Sequence, residues 1–577
     1  MTVVDDPFDV RVAVGATGRL RDLNLAGVLD AIDLRVADRV TTLAHDDDPL
    51  VALAVAVAVR AVRGGSVCVR LDDLANDDEV RWPDPVAWRA AIAASPLTRE
   101  PEVLHLEGDR LYLDRYWREE VQVCRDVLAR TGAGEVVRPS GLDRVFPLEG
   151  YDEQRDAASL ALSQPTTVLT GGPGTGKTTA VAGLLALLAE QAEQRGAPPP
   201  RIALAAPTGK AAARLQQAVE EEIGHLRDAT DRARLAGLRA MTLHRLLGTR
   251  PDTSARFRHH RDNRLPHDVV VVDEASMVSL TMMARLLEAL RHDARLVLVG
   301  DPDQLASVEA GAVLADLVDG LGARRDVRVA ALETSHRFGP AIGALAAAVR
   351  DGRADDAVAL LRAGDAHVVF EETEDPGPVL REVLVRRARD LRLAGQAGDT
   401  ATALALLDGH RLLCAHRDGP FGIHHWNQRV ERWLSEELQE GLWSAWYPGR
   451  PFLVTANDYG LGIYNGDTGA AVLSGGVLRA VVAGVAGPLA LATSRVSDVE
   501  TMHAMTIHKS QGSQVEEVTV LLPDLESRLL TRELLYTAIT RAQDRVRIVG
   551  SEASVRAAIE RPVGRASGLR ERLREGA

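Results

Sequence analysis

The chain has 577 residues, of which 46% are hydrophobic and 26% charged, and its formal net charge is −14. This is the composition of an ordinary soluble protein with about three or four domains. The acidic total argues only weakly against nucleic acid, because binding requires a local basic groove and not a basic total. Its cysteines lie far apart, which excludes a disulfide framework or a zinc site and fits a reducing cytoplasm: Cys68, Cys124 and Cys414.

Residues 1–148 carry helical patterns at 23–43 and 50–62 and no recognisable catalytic constellation. The run from Pro49 to Val62 is very apolar, but Arg60 and Arg63 bound it at about 11–13 residues, which is too short to span a bilayer. A buried helix is therefore predicted. The N-terminus also lacks the basic region of a signal peptide. We expect no membrane association and treat 1–148 as a separate, mostly helical domain.

After residue 148 the pattern changes to strands that alternate with helices. Short β-rich runs at 167–170, 202–206, 269–272 and 295–299 are each followed by a helical stretch, which predicts a parallel sheet flanked by helices in a domain over 149–330. Runs at 411–415, 518–522 and 546–549 predict a second α/β domain over 331–577. The glycine-rich alternation at about 450–500 predicts a small antiparallel, barrel-like β insert within it.

A phosphate-binding pattern follows the first of these strands. Lys177 can reach outer phosphates, and the Thr178 hydroxyl is placed for Mg²⁺. Glycines let successive backbone N–H groups point at phosphate oxygens, and a helix N-terminus adds partial positive charge. The pattern G-x-x-x-x-G-K-[ST], between the strand at 167–170 and a helix at 180–188, predicts nucleoside triphosphate binding by Gly171, Gly172, Pro173, Gly174, Thr175, Gly176, Lys177, Thr178 and the adjoining Thr179.

Two carboxylates follow the four valines at 269–272. Such strand ends are where open α/β sheets place ligands. Asp273 is suited to holding Mg²⁺ through water, and Glu274 to orienting and deprotonating the attacking water. An acidic helix N-cap is the structural alternative. The position beside a phosphate loop favours ATP hydrolysis.

Three further side chains are candidates for the ATP site. Gln304 follows the strand at 296–299 and is placed to donate a hydrogen bond to the γ-phosphate. Arg337 and Arg541, in the C-terminal half, carry planar guanidinium groups suited to charge in a transition state. Because a single arginine is usually a solvated surface residue, these two assignments depend on a wider motif pattern.

The order of the motifs resembles that of the superfamily 1 helicases of the 5′-to-3′ class. The series comprises Gln154, 171–179, 206–212, 242–248, 271–277, 300–311, Arg337, 506–513 and 536–542. Within that class the chain resembles the RecD family, the alpha subunit of exodeoxyribonuclease V (RecBCD), also outside the motifs at 65–69, 109–117, 411–415 and 464–469. The likeness covers nearly the whole chain. Gln514 departs from the frequent family glutamate, and we expect it to concern a DNA-side contact at most.

This resemblance implies two RecA-like domains with an ATP cleft between them. Gln154 would read the adenine edge. The cleft would be lined by Lys177, Thr178, Asp273, Glu274, Gln304, Arg337, Gly512 and Arg541. Single-stranded DNA would run across both domains and face Pro207, Thr208, Thr242, His244, Thr506 and His508. Hydroxyls and imidazoles at strand ends bond phosphate oxygens without reading base sequence.

A strongly basic segment at 256–264 lies within this acidic protein. In related helicases a hairpin at this place acts as a pin that splits the duplex, which makes Phe257 a candidate DNA contact. Asp262 and Asn263 favour a hairpin turn between about 250 and 266. A solvated charged loop is the alternative.

The resemblance implies an ATP- and Mg²⁺-dependent 5′-to-3′ DNA helicase subunit of a RecBCD-type helicase and nuclease, which processes double-strand breaks for recombinational repair in the bacterial cytoplasm. Its partners would be single-stranded and duplex-end DNA together with RecB-like and RecC-like subunits, and 1–148 would dock it to the RecC-like one. The sequence shows no acidic pair followed by a lysine in the spacing of a nuclease site. Nuclease activity is therefore expected in a partner.

Two alternatives stay open. A free-standing RecD-like helicase has a similar motor but usually carries a longer N-terminal extension with helix–hairpin–helix elements, and no paired Gly-x-Gly hairpins occur in 1–148. A DNA-dependent ATPase switch would bind DNA without unwinding it. A strand-displacement assay separates the switch from a motor.

Overall fold

The structure is a computed structural model that describes residues 9, 11–75, 80–132, 136, 138–250, 253–324, 326–335, 339–441, 444–458, 460–484 and 487–576. Within these ranges the side chains of Ala75, Arg250 and residues 253–255 are also outside the description. Across the described part of the chain, no helix combines the length and the apolarity needed to cross a membrane.

The N-terminal region is mostly helical, as predicted, around a three-stranded antiparallel sheet in the order β1-β3-β2. The apolar run forms one helix: the Asp48 carboxylate accepts from the Leu50 N–H (2.8 Å) and Pro49 stands at the first turn. Every residue from Leu53 to Val59 is buried, so this is a core helix. The elements are α1 (Gly18–Leu25), α2 (Ala31–Ala44), α3 (Pro49–Arg63), β1 (Cys68–Arg70), α4 (Leu71–Ala75), α5 (Pro85–Ala94), β2 (Leu104–Glu107), β3 (Arg110–Leu113), α6 (Asp114–Leu128) and α7 (Leu142–Val145).

A six-stranded parallel sheet follows, in the order β11-β4-β10-β9-β5-β6, and we call this the first sheet domain. All four valines of β9 are buried, as expected for a central parallel strand covered by helices on both faces. The elements are α8 (Asp152–Ser163), β4 (Thr166–Gly171), α9 (Lys177–Gln194), β5 (Ile202–Ala206), α10 (Gly209–His225), α11 (Ala229–Arg234), β6 (Ala240–Thr242), α12 (Leu243–Leu247), β7 (Thr249–Arg250), β8 (Thr253–Phe257), β9 (Val269–Val272), α13 (Leu280–Ala289), β10 (Arg295–Gly300), α14 (Val313–Gly322) and β11 (Val329–Leu332).

The second sheet domain has a five-stranded parallel sheet in the order β12-β21-β20-β13-β19. The elements from here to the C-terminus, including those of the β insert, are α15 (Pro340–Arg350), α16 (Ala354–Arg362), β12 (Val368–Glu372), α17 (Gly377–Ala397), α18 (Thr400–Gly409), β13 (His410–Cys414), α19 (Ile423–Leu438), β14 (Pro451–Val454), β15 (Thr468–Ser474), β16 (Val477–Gly484), β17 (Gly487–Ala492), β18 (Val499–Thr501), β19 (Ala504–Thr506), α20 (Ile507–Ser510), β20 (Val515–Leu521), α21 (Arg532–Ile539), β21 (Ala542–Gly550), α22 (Glu552–Glu560) and α23 (Leu569–Glu575). The predicted α/β class with two parallel sheets is confirmed.

The predicted insert is a five-stranded antiparallel sheet in the order β17-β16-β15-β14-β18. Among the described residues no backbone pairing joins β17 to β18. The insert is therefore described as an open sheet, and the barrel-like closure stays a prediction.

Two of the predicted boundaries differ from the folded units. Residue 330 falls inside β11, which pairs with β4 and so belongs to the first sheet domain. The C-terminal helix α23 does not stay with the second sheet domain: Leu569 and Leu573 are buried in one core with Val123 of α6 and Leu317 of α14. The N-terminal domain, the first sheet domain and the chain's end thus share a core, since apolar side chains far apart in sequence are covered together.

Candidate functional site

The phosphate loop links β4 to α9 through glycines in the left-handed region, with φ of +80° at Gly174 and +81° at Gly176. A Cβ at Gly176 would lie 2.7 Å from the Gln154 amide nitrogen, so no larger residue fits there. Lys177 is the first residue of α9, and its Nζ donates to the Gly171 and Gly172 carbonyls (2.6 and 2.8 Å). The loop and helix N-terminus form a cradle of the kind that binds phosphate.

Gln154 lies directly behind this loop with 1% of its surface exposed. Its Nε2 donates to the Thr175 carbonyl (2.8 Å), while its Oε1 is buried and has no hydrogen-bond partner within the described structure. A buried polar atom is costly unless it is hydrogen-bonded. The assignment of Gln154 to the adenine edge stays a prediction.

The two carboxylates stand at the end of β9. Burial, and after it the charge of Glu274, raises the pKa of Asp273, and the nearby Lys177 opposes this rise. Glu274 has φ 50° and ψ 42°, a left-handed conformation that costs free energy for a residue other than glycine. A buried carboxylate facing a lysine and a strained acidic neighbour are suited to hold a divalent cation and to position a water.

The next strand, β10, delivers Asp301 and Gln304. The Gln304 Nε2 donates to the Asp301 Oδ2 (3.0 Å), and the Tyr536 hydroxyl of the second sheet domain donates to the same oxygen (3.0 Å). Burial raises the pKa of Asp301. One residue on, the Leu305 N–H donates to the Thr537 hydroxyl oxygen (2.9 Å). The contacts with Tyr536 and Thr537 tie residues 301–305 to α21.

Arg541 approaches the carboxylates from the second sheet domain. It is 4% exposed, and its Nε donates to the Thr537 carbonyl (3.0 Å). Burial lowers the pKa of its guanidinium, whereas the nearby Glu274 and Asp301 raise it. The arginine is thus held within reach of the carboxylates. Its predicted counterpart, Arg337, lies outside the described residues.

A cleft of about 670 Å³ between the two sheet domains brings these groups together. Gly512, whose φ is +68°, also lines this cleft. Behind the phosphate loop, an adjoining cavity is lined by Gly171, Gly172 and Thr175. The predicted residues that line the main cleft are Gln154, Pro173, Gly174, Gly176, Lys177, Thr178, Thr179, Asp273, Glu274, Gln304, Gly512 and Arg541.

The expectation for Gln514 is wrong, because the residue lines the nucleotide cleft. Its Oε1 accepts from the Gln543 Nε2 (3.4 Å) at the start of β21. Sequence reasoning also missed Tyr151 and Arg214, which line the same cleft. Tyr151 immediately precedes α8 and Arg214 lies within α10, and neither residue belongs to one of the helicase motifs.

A second cavity of about 420 Å³ also lies between the two sheet domains. Two of its threonines cap helices at strand ends: the Thr208 hydroxyl accepts from the Ala211 N–H (3.2 Å) and the Thr242 hydroxyl from the Arg245 N–H (3.2 Å). Helix N-termini favour anions. We call this cavity the channel, and the predicted DNA-facing residues that line it are Pro207, Thr208, Thr242, His244 and His508.

Lys210 is a channel residue that was not assigned, although its motif was recognised. Its Nζ donates to the Gly466 carbonyl of the β insert (2.9 Å). Burial, followed by the charges of Arg214 and Arg411, lowers the pKa of Lys210 to about 7. The β insert therefore closes one side of the channel. The resemblance of 464–469 to the RecD family was the sequence signal that could have indicated this role.

Two predicted DNA contacts differ in the structure. Thr506 is 7% exposed, and its hydroxyl accepts from the Lys509 N–H (3.3 Å), so it caps α20 and does not line the channel. Phe257 is also only 7% exposed; it packs in the shared core, with its ring centroid 5.7 Å from that of His244. The apolar ring is covered because β8 folds back on β7, which removes it from the exposed tip.

The basic segment does form hairpin structure. Thr249 pairs with Phe257 across β7 and β8, and Thr249 lines the channel, so the hairpin starts at the channel's edge. A second tight turn joins His260 to Asn263, as Asp262 and Asn263 predicted. The Arg261 guanidinium beyond it pairs with Asp126 of α6 (3.0 Å). A role in strand separation stays a prediction.

Three family models match the chain: an AAA domain at 149–371, a UvrD-like helicase C-terminal domain at 501–549, and the N-terminal domain of RecBCD enzyme subunit RecD at 25–112. RecBCD enzyme subunit RecD of Mycobacterium tuberculosis is 64% identical over 98% of both chains. The Mycolicibacterium smegmatis protein of the same name is 66% identical over 95% of this chain and 98% of its own. The ATP-dependent RecD2 DNA helicase of Deinococcus radiodurans is 31% identical over 73% of this chain but only 52% of its own. The chain belongs to the RecD family of helicases.

Proposed function

We propose that this helicase is an ATP- and Mg²⁺-dependent motor that moves 5′-to-3′ along single-stranded DNA as a subunit of a RecBCD-type complex. The observation that carries the proposal is that one pair of domains encloses two sites. Lys177 and Glu274 of the first sheet domain face Arg541 of the second across the nucleotide cleft, while the channel lies between the same two domains. A change in one site is thereby coupled to the other.

The residues of the cleft divide the chemistry among them. Lys177 and the loop N–H groups bind the outer phosphates, and Thr178 with Asp273 would hold Mg²⁺, which supplies charge neutralisation at the phosphates. Glu274 orients a water and accepts its proton. Gln304 reports the outer phosphate to α21 through Asp301 and Tyr536. Arg541 places positive charge from the opposite domain, and Arg337 is proposed to do the same.

The channel would hold the sugar–phosphate backbone. Thr208 and Thr242 direct helix N-termini at it, and His244 and His508 add one imidazole from each domain. These contacts do not read bases, as a translocating motor requires. The 5′-to-3′ direction follows from the class whose motif order the chain shares.

Partners of this subunit are proposed from its relatives, which are described as subunits of RecBCD. RecB-like and RecC-like subunits, duplex-end DNA and a bacterial cytoplasmic setting complete this proposal, with nuclease activity in a partner. The N-terminal domain would provide the docking face. It exposes large apolar side chains, among them Leu43 (63%) and Val86 (67%).

Unwinding of tailed duplexes by the complex purified with its partners tests the motor. We expect strand displacement from a 5′-tailed duplex, loss of this displacement in Lys177→Ala, and no loss in the control Arg195→Ala at the exposed end of the same helix. Glu274→Gln should keep nucleotide binding and lose turnover, because an amide cannot accept the proton. DNA-stimulated ATPase without displacement would favour the switch, and displacement from 3′ tails alone would contradict the direction.

Docking is tested with point substitutions and not with a deletion of 1–140, because that deletion would uncover the core that α6 shares with α14 and α23. Leu43→Asp and Val86→Asp should reduce co-purification with the RecC-like subunit. Leu393→Asp is the matched control, because Leu393 is similarly exposed (55%) on the second sheet domain. Undiminished assembly of both N-terminal variants would place the docking face elsewhere.

A further inference from the structure

The segment from Asp301 to Gly311 runs from the nucleotide cleft towards the channel side of the molecule. Its first part is held by α21 through the Asp301–Tyr536 and Leu305–Thr537 hydrogen bonds. The Leu305 carbonyl accepts from the Gln511 Nε2 (2.7 Å), three residues after His508. The segment therefore contains Gln304, which is proposed to sense the phosphate, and contacts the motif at 506–513 that supplies His508 to the channel.

The end of this segment is held by parts of the chain that carry no helicase motif. The Gly311 N–H donates to the Gly65 carbonyl (2.9 Å) of the N-terminal domain. Gly65 in turn adjoins the C-terminal segment 561–576, in which the Ala566 carbonyl accepts from the Val67 N–H (2.8 Å). The C-terminal segment thus crosses from α22 back to the N-terminal domain beside residues 305–311.

Arg565 is the side chain that connects these parts. Its Nη1 donates to the Ser307 carbonyl (2.5 Å) and lies 3.3 Å from each of the Glu309 and Gly311 carbonyl oxygens. Gly65 makes room for it: a Cβ there would stand 3.0 Å from the Arg565 Cζ. One charged nitrogen therefore lies against three carbonyls of a single loop and can donate to two of them at a time.

The same arginine lies close to the channel histidine. After burial, the Arg565 charge is the cause that lowers the pKa of His508. A cavity of about 920 Å³ between the N-terminal and second sheet domains is lined by Leu305, His508 and Arg565 together. Arg565 is thus near His508 at one end of the connection and contacts the loop that follows Gln304 and Leu305.

We propose that Arg565 is a positioning residue of the motor: by holding the carbonyls of 307–311 it keeps Gln304 on the nucleotide side and His508 on the channel side in fixed relation. The inference rests on the proposed function. It predicts that the loss of Arg565 lowers the rate of DNA-stimulated turnover more than it weakens ATP binding, because the phosphate loop that binds ATP is not touched by Arg565.

The test is steady-state ATPase of the full-length chain with an oligo-dT strand, measuring kcat, the KM for ATP and the half-stimulating DNA concentration, with the unfolding midpoint recorded in parallel. Arg565→Met removes the donors at similar length, and Arg565→Lys keeps one charged donor. Arg570→Met is the matched control: it removes an arginine from the same tail that pairs with Asp316 and Asp319 (3.8 and 3.2 Å) and does not contact 307–311.

We expect Arg565→Met to lower kcat about tenfold with the KM for ATP within about twofold of wild type, since charge-assisted hydrogen bonds of this kind contribute on that scale. Arg565→Lys should recover part of kcat, and Arg570→Met should match wild type. Wild-type kcat in folded Arg565→Met, or an equal loss in Arg570→Met, overturns the inference. Should Arg565→Met fail to fold, Arg565→Lys decides: a fall of about threefold at unchanged KM supports it, and wild-type kcat overturns it. Absence of DNA stimulation in the wild type would instead overturn the proposed function, and the same variants would then be compared in basal turnover.

Discussion

Two segments of the chain share a pattern and a local structure. Residues 239–248 read RAMTLHRLLG and residues 503–512 read HAMTIHKSQG. Each forms the edge strand of its parallel sheet, β6 or β19, then a threonine N-cap and a short helix, α12 or α20. Each ends in a glycine of positive φ, +74° at Gly248 and +68° at Gly512. The two sheet domains thus present one structural unit each to the channel.

The surroundings of the two units differ. His244 is exposed and makes an edge contact with the Phe257 ring, and Gly248 leads into the hairpin. His508 is half-buried near Arg565, and Gly512 lines the nucleotide cleft. The local pattern therefore sets the cap and the histidine, whereas the neighbouring elements decide whether the unit serves the channel alone or connects it to the nucleotide.

The largest expected effect is a loss of stability when the buried ring that supports the first unit, 239–248, is removed. Phe257→Ala should lower the free energy of unfolding by about 3 kcal/mol, because it deletes a buried aromatic side chain from the core. Urea unfolding of the full-length chain measures it, with the exposed neighbour Arg256→Ala, expected to stay within about 0.5 kcal/mol, as the control. A loss below about 1 kcal/mol would mean that the ring is exposed and again a candidate DNA contact.

The first residues of the two units, Arg239 and His503, should respond differently to a fall in pH. Burial, followed by the charge of Arg450, lowers the pKa of His503 to about 3, whereas the corresponding residue of the first unit is the exposed Arg239. A histidine with a lowered folded pKa contributes stability above its unfolded pKa, near 6.5, that is lost as pH falls towards the folded value. Lowering the pH from about 6.5 to 5 should therefore cost the folded state about 2 kcal/mol through this residue.

Urea unfolding at the two pH values measures this loss. His503→Asn should reduce the difference between them, and Arg239→Ala should leave it unchanged because arginine does not titrate in this range. Equal pH dependence in the wild type and His503→Asn would show that His503 is accessible to water.

Removing each histidine should show which unit connects to the nucleotide cleft. His508→Ala is expected to lower DNA-stimulated kcat about tenfold, a loss of about 1.4 kcal/mol. His508 shortly precedes Gln511, which donates to the Leu305 carbonyl, and Gly512, which lines the nucleotide cleft. His244→Ala should mainly raise the half-stimulating DNA concentration, by about twofold. ATPase titrated with single-stranded DNA measures both. Equal effects on kcat would make the units functionally equivalent.

The smallest expected effect concerns the caps. Thr506→Val should lower the free energy of unfolding by about 1 kcal/mol and Thr242→Val by about half as much, since each loses an N-cap hydrogen bond and Thr506 is the more buried. Denaturant midpoints of the two variants provide the comparison. A larger loss of stability in Thr242→Val than in Thr506→Val would show that Thr242 is the more buried of the two threonines.

Much of the nucleotide cleft could be predicted because its parts lie within a few residues of strand ends. The strand, the glycines and Lys177 are consecutive, and the valines of β9 lead directly into Asp273. Parallel strands bring their carboxyl ends to one edge, so these motifs had to meet. The position of Gln514 could not be read in this way, because it depends on how the second domain is placed on the first.

By itself the sequence determined the α/β class, the phosphate loop, the paired carboxylates and the family, since backbone hydrogen bonding, capping and apolar periodicity act over short stretches of chain. Only the tertiary structure decided that Phe257 is core, that Thr506 caps a helix, that β11 belongs to the first sheet, and that α23 returns to the N-terminal domain. These facts depend on which distant apolar surfaces cover one another, and that choice is made by packing the whole chain and not by any local pattern.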